Sequence, residues 1–246
     1  MKHTQIVLNN LVFAKDVAAG VKQLALLDQA LALGITNVEV RREYFTDVLA
    51  EAPVINETAV ANKMRLFYSV PEEVFVDGQI NPDLQKYFDE AQALGIYAIK
   101  FNIGDFANFT GDLKRELAPF TSQGLQVNIE NDQTKISGTL QPVEKFLKQA
   151  ELAGVEVGYV YDLGNWRFVG EDELQAARAL APYTQYIHVK DVEYVDEKPV
   201  VVPLGDGVVD WRQALALLPN DKPVAIEYPT DNTETIVAAI AALTEV

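Results

Sequence analysis

Four residues able to ligate a metal close four successive β-rich runs in the second half of the chain. Glu130 ends "LQVNIE", Asp162 ends "VGYVYD", His188 stands in "YIHVK" and Glu227 in "PVAIEY". His188 is one of only two histidines. Alone, an imidazole at a strand end is most often structural. If the four runs are adjacent strands whose ends converge, three carboxylates and one imidazole share one point. Burying such groups without a counter-charge is very costly, and a divalent cation supplies that charge. The donor set suits Mn²⁺, Co²⁺, Mg²⁺ or Zn²⁺, so one divalent metal ion is the expected cofactor.

Other polar residues fall at comparable places. Glu39 and Arg41 lie two apart in "NVEVR", hence on one face of a strand. They either pair with each other or face a substrate. Lys100 in "YAIKFN" and Lys190 after His188 either bind substrate oxygens or neutralise the carboxylates. Asn128 shares the face of Glu130, and Asn9 ends the first run. Trp166 and Trp211 read as wall or core. Asp210 in "GDGVVDW" reads as a helix N-cap, and His3 as incidental.

The elements that would position these residues alternate strictly. Eight runs rich in Val, Ile, Tyr and Phe read as strands at 4–9, 37–41, 65–70, 97–102, 125–130, 157–162, 186–190 and 223–228. Helical patterns lie between them. In "AAGVKQLALLDQALALG", Val21, Leu24, Leu27 and Leu31 recur at three- and four-residue steps and Gly34 stands as a stop. "PDLQKYFDEAQALG" and "LQPVEKFLKQAELAG" end alike at Gly95 and Gly154. "EDELQAARALAP" ends before Pro182, and "DNTETIVAAIAALTEV" closes the chain with Asp231 or Thr233 as its cap. Alternating βα units imply a parallel sheet. Eight in 246 residues imply a single (β/α)₈ TIM barrel over 1–246. The competing doubly wound sheet lacks its Gly-rich loop, because "LNNLVFAKDVAAG" holds no GxGxxG. In such a barrel the C-terminal strand ends converge at one mouth, as the metal reading requires.

Composition narrows the function. The formal net charge of −16 disfavours nucleic acid and anionic membrane as partners. With no cysteine, disulfides, thiolate catalysis and Cys-ligated metal are excluded. No run approaches the roughly 18 apolar residues of a membrane span, and "MKHTQIVLNN" lacks the apolar core of a signal peptide. A cytoplasmic location is the expectation.

"GITNVEVR", "NIEND", "YDLGNW", "YIHVKD", "LGDGVVDW" and "IEYP" follow one another in an order and spacing that resemble the sugar phosphate isomerase/epimerase group of the xylose isomerase-like TIM barrel superfamily. The resemblance spans nearly the whole chain and does not specify a substrate. It implies that Glu130, Asp162, His188 and Glu227 hold one divalent metal. It also implies that Glu130 and Glu227 act as acid and base on opposite faces of a ketose, and it leaves a homo-oligomer open. Several members of the group carry a histidine where this chain has Asn165, which can hydrogen-bond a hydroxyl but cannot shuttle a proton. No arginine pocket for a phosphate stands out apart from Arg41, so a non-phosphorylated sugar, cyclitol or related hydroxy-carbonyl compound is the expected substrate. Endonuclease-IV-type relatives need several histidines for three zinc ions, more than this chain has.

The expected chemistry is proton transfer beside a carbonyl, through an enediolate stabilised by the metal. Return of the proton to the neighbouring carbon isomerises; return to the opposite face epimerises. Lys190 would stabilise the oxyanion. Two alternatives remain. One is a dehydratase in which Lys100 or Lys190 protonates a leaving hydroxyl; the other is a barrel that binds sugar without turnover.

Overall fold

A computed structural model of the chain describes residues 1–230 and 232–245. All eight β-rich runs form strands: β1 (Ile6–Asn9), β2 (Asn37–Arg41), β3 (Arg65–Val76), β4 (Ala98–Gly104), β5 (Gln126–Glu130), β6 (Gly158–Asp162), β7 (Thr184–Val189) and β8 (Val224–Ile226). Each is parallel to its barrel neighbours, in the order β2–β1–β8–β7–β6–β5–β4–β3, and β3 closes the ring by pairing with β2. The helices α1 (Gln23–Ala32), α2 (Val48–Ala61), α3 (Leu84–Leu94), α4 (Leu113–Thr121), α5 (Leu140–Ala153), α6 (Glu173–Leu180), α7 (Trp211–Leu217) and α8 (Thr233–Thr244) each follow their strand. The expected (β/α)₈ barrel is the observed fold.

Strands in a closed parallel barrel are covered on both faces, which explains their near-continuous apolar runs. The outer face packs on the helices through residues such as Leu26, Ile55, Phe88, Phe146 and Trp211. Inside the barrel, Val7, Phe67, Ala98, Val160, Tyr186 and Ala225 form a separate apolar layer. Trp166 and Trp211 are core residues, as expected. Phe146 is fully buried, with ring centroids 5.0 Å from Phe106 and 5.6 Å from Phe75. Phe146→Ala is expected to cost about 3–5 kcal/mol through lost transfer energy and the cavity left behind. A urea titration would read this, and an unchanged midpoint would show that the ring carries none of that packing.

Three local expectations are corrected. The last helix is capped by Asn232, whose side chain accepts from Glu234 N. Thr233 is instead its first residue, and Asp231 lies outside the described residues. Strand β3 runs past Val70 to Val76, with an irregularity between Ser69 and Glu73, and folds back onto Gln79–Ile80. After β7, Asp191–Val195 and Lys198–Val202 form an antiparallel ribbon with Asp196 and Glu197 at φ 48° and 64°. Asp210 caps α7 as expected, accepting from Gln213 N.

Candidate metal centre

Above the inner apolar layer the barrel interior turns polar. Asn9, Glu39, Lys100, Glu130, Asp162, His188 and Glu227 are all buried there, whereas Asn128, on the face of Glu130, is buried toward the other end of the barrel and accepts from Gln126 Nε2 at 3.2 Å. Asp162 and His188 lie side by side in the β6–β7 register, and Glu227 N donates to Val189 O at 3.0 Å, which seats its side chain beside them. One ligand atom from each of Glu130, Asp162, His188 and Glu227 lies within 4.8 Å of the others. His188 Nδ1 is 2.8 Å from Glu130 Oε1 and 3.2 Å from Glu227 Oε2.

Glu130 Oε1, Asp162 Oδ2 and His188 Nδ1 are sealed from water, and they meet charged groups of the cluster itself: Glu130 Oε1 faces His188 Nδ1, and Asp162 Oδ2 faces Lys190 Nζ. Three carboxylates crowded together away from water repel one another and are costly to bury, so the cluster suits a further shared cation. Three carboxylates and one imidazole form a donor set that fits a divalent ion. The opposite oxygen of Asp162 is fixed: Oδ1 accepts from Gly164 N at 2.9 Å and Asn165 N at 3.0 Å, which turns Oδ2 inward.

The site also carries its own cations. Lys100 pairs with Glu130. Lys190 Nζ lies 2.5 Å from Asp162 Oδ2 and 2.9 Å from Glu227 Oε2. Arg41 reaches Glu227 Oε1 at 3.0 Å and Glu43 at 2.7 Å. Of the two roles the sequence left open for the lysines, the structure shows the pairing with carboxylates. Burial disfavours the charged form of Lys190, but Asp162 and Glu227 overcome this and hold it above its ordinary value. Lys100 is raised in the same way, chiefly by Glu130 against the pull of burial. Both are ammonium groups and therefore donors.

The acids divide. Burial pushes the Asp162 carboxyl up to about 7 against the pull of Lys190. Burial acts likewise on Glu130 and Glu227, but nearby cations win. Lys100 and His188 hold Glu130 below its ordinary value, and Lys190 and His188 hold Glu227 well below. His188 is disfavoured as a cation by burial, yet Glu39, Glu227 and Glu130 push it well above its ordinary value.

The expected Glu39–Arg41 pair is not formed among the described residues; Arg41 turns to Glu227 and Glu43. Glu39 accepts from Tyr186 OH and lies 2.8 Å from His188 Nε2. Asn165 is engaged at both ends of its amide: Nδ2 donates to Asn131 O at 2.7 Å, and Oδ1 accepts from Gln133 Nε2 at 3.1 Å. It thereby ties the loops after β5 and β6 together. Asn9 Nδ2 donates to Glu227 Oε1 at 3.1 Å.

Tyr186 carries no ligand signal in the sequence, although it precedes His188 by two and so shares its face. Nor does the role of Asp191 stand out there. That carboxylate accepts from Val192 N, Gly205 N and Val209 N and anchors the "LGDGVVDW" loop. Gly207 is required there, because a Cβ would meet Asp191 Oδ1 and Val192 O at 2.3 Å.

A cavity of about 690 Å³ opens at the other end of the barrel, near Gln5, Arg65, Pro219 and Lys222, and includes none of the four candidate ligands. Barrel chemistry sits at the C-terminal strand ends, so the buried cluster is the candidate site. Among the described residues no helix is long and apolar enough to cross a membrane.

Fold and site together define a class, and sequence comparison agrees: residues 83–246 match the family model of xylose isomerase-like TIM barrels, and the chain belongs to that family. No curated protein matches it in sequence. Among solved structures it is similar to the probable 3-DHS dehydratase AsbF of Bacillus anthracis, with 12% identity, 98% of each chain covered and a TM-score of 0.75. It is also similar to a xylose isomerase domain containing protein of Salmonella typhimurium LT2, with 16% identity, 100% of this chain and 95% of that one covered, and a TM-score of 0.70. An L-ribulose 3-epimerase aligns at 13% identity over 96% of this chain and 86% of its own, with a TM-score of 0.66. At these identities the likeness shows the fold alone.

Proposed function

We propose that the chain is a divalent-metal-dependent isomerase or epimerase of a sugar, cyclitol or related hydroxy-ketone. One observation carries this reading: the buried carboxylates of Glu130, Asp162 and Glu227 converge with the His188 imidazole at the C-terminal mouth of the barrel, one ligand atom from each within 4.8 Å of the others. Glu130, Asp162, His188 and Glu227 would hold the ion, which supplies positive charge to stabilise an enediolate. The remaining oxygens serve proton transfer. Glu130 Oε2 is held by Lys100, and Glu227 Oε1 by Asn9 and Arg41. One glutamate removes the α-proton; the other returns it to the neighbouring carbon or to the opposite face. Lys100 and Lys190 donate hydrogen bonds to the developing oxyanion.

The raised basicity of both lysines makes them poor proton donors to a leaving hydroxyl, which favours isomerase or epimerase over dehydratase. Arg41 is already paired with two carboxylates, which supports a substrate without a phosphate. Asn165 sits at the edge of the site and, like Glu39, is engaged with protein groups.

The test is solvent exchange. Protein stripped of metal and reloaded separately with Mn²⁺, Co²⁺, Mg²⁺ or Zn²⁺ is incubated in D₂O with ketoses, inososes and hydroxy-ketoacids. NMR is expected to show metal-dependent deuterium at the α-carbon or an isomeric product. A dehydrated product would replace this reading with the lyase. No exchange and no product with any metal would overturn both.

A further inference from the structure

We propose that Glu39 is a positioning residue for the metal centre: it fixes the His188 imidazole through Nε2 so that Nδ1 faces the ion, and Tyr186 locks the Glu39 carboxylate in place. The inference rests on the metal reading above and adds a function for a carboxylate that touches none of the other three acids.

Glu39 and His188 are both completely buried and reach each other across the barrel interior from β2 and β7, which are three strands apart around the ring. The imidazole is held at two places. Nε2 lies 2.8 Å from Glu39 Oε2, and the ring stands edge-on to Tyr186 at 4.7 Å between centroids and 89° between planes. Tyr186 OH donates to that same Oε2, so two donors from one strand converge on one oxygen and leave the carboxylate a single orientation. With Nε2 committed to Glu39, Nδ1 is the nitrogen turned to Glu130 and Glu227.

A metal-ligating imidazole needs such a partner. Its second N–H must go to an acceptor, and a carboxylate there fixes the ring and raises its basicity toward the metal. Glu39 is also excluded as a further ligand by placement. Strand residues two apart differ by about 6.6 Å along the axis, which sets Glu39 one layer deeper than Arg41 at the rim. Among the described residues it does not join the four-residue group.

Metal affinity and the imidazole proton signal test this together. Mn²⁺, Co²⁺ and Zn²⁺ are each titrated against a chromophoric chelator in the wild type, Glu39→Gln, Glu39→Asp and Tyr186→Phe. Glu39→Gln is expected to weaken binding about 10–100-fold, and Tyr186→Phe by less. Glu39→Asp keeps the charge but withdraws the oxygen by one methylene, and is also expected to weaken binding. A role limited to charge balance would leave Glu39→Asp like the wild type. In metal-free protein, the buried His188 Nε2–H is expected as a downfield proton resonance that His3, being exposed, does not give. It should move upfield in Glu39→Gln.

Wild-type affinity in Glu39→Gln, or in Glu39→Asp, overturns the proposal. If Glu39→Gln does not fold, Glu39→Asp and Tyr186→Phe decide by the same criterion. If the wild type binds no metal, the metal reading fails and positioning fails with it. The proton resonance then still reports whether the Glu39–His188 contact exists, so the two failures are told apart.

Discussion

Glu130→Gln and Glu227→Gln are each expected to lower the rate of α-proton exchange by about 10²–10⁴-fold, the range that general acid–base catalysis supplies. Glutamine keeps the shape of the side chain and one acceptor oxygen, but it cannot take a proton. Each substitution also removes a charge from the site, so part of the loss could come from weaker metal binding. Assay at saturating metal separates the two: a binding defect is restored by excess ion, whereas a missing base is not. Charge on the surrounding cations guards the fold. After Glu227→Gln, Lys190 still has Asp162 and Arg41 still has Glu43. After Glu130→Gln, Lys100 loses the one carboxylate it contacts among the described residues, so this variant is the more exposed to instability, and its far-ultraviolet circular dichroism is the control. A rate at saturating metal within about threefold of wild type, in a folded variant, would remove that glutamate from proton transfer.

What the sequence revealed follows from local geometry. Glu130, Asp162, His188 and Glu227 each close a run whose alternation already points inward, so a parallel barrel must gather them at one mouth. Partners fixed by the closure of the barrel were not legible. Arg41 pairs with Glu227, 186 positions away, rather than with Glu39, two positions away. Two residues along a strand share a face but stand about 6.6 Å apart, so Glu39 lies a layer deeper and meets His188, 149 positions distant. Nothing local in "NVEVR" encodes that choice.

The same distinction holds for the elements. The ribbon after β7 turns through Asp196 and Glu197, both at positive φ, with no glycine or asparagine to mark the hairpin. Pro71 lies within the extension of β3, where a proline ordinarily argues against a strand. Helices α2 and α4 contain Pro53 and Pro119, which weaken a helical pattern read from sequence. Tertiary packing overrides each of these signals.

Metal uptake is expected to rise with pH across neutrality. Asp162, with its pKa pushed up to about 7 by burial, and His188, pushed well above its ordinary value by Glu39, Glu227 and Glu130 against burial, hold protons in the metal-free site. A divalent ion binds the deprotonated forms and must expel those protons. Below the pKa of each group, apparent affinity gains about tenfold per pH unit for each proton released. The metal-free protein should show the opposite trend in stability. His188 is raised in the folded state, so its contribution is present below the unfolded value and declines as pH climbs through the folded one. Asp162 is raised as well, so the folded state holds its proton more tightly than the unfolded state, and stability again falls as pH rises toward 7. Glu130 and Glu227 are lowered, and their contribution is lost only in acid, outside this window. The melting temperature of metal-free protein is therefore expected to fall between about pH 5 and 8, while ion at a hundredfold excess over its dissociation constant adds about 2.7 kcal/mol. Calorimetric titration in buffers of different ionisation enthalpy counts the released protons directly. A count of zero at pH 6, with binding intact, would mean that the ion sits somewhere other than on Asp162 and His188.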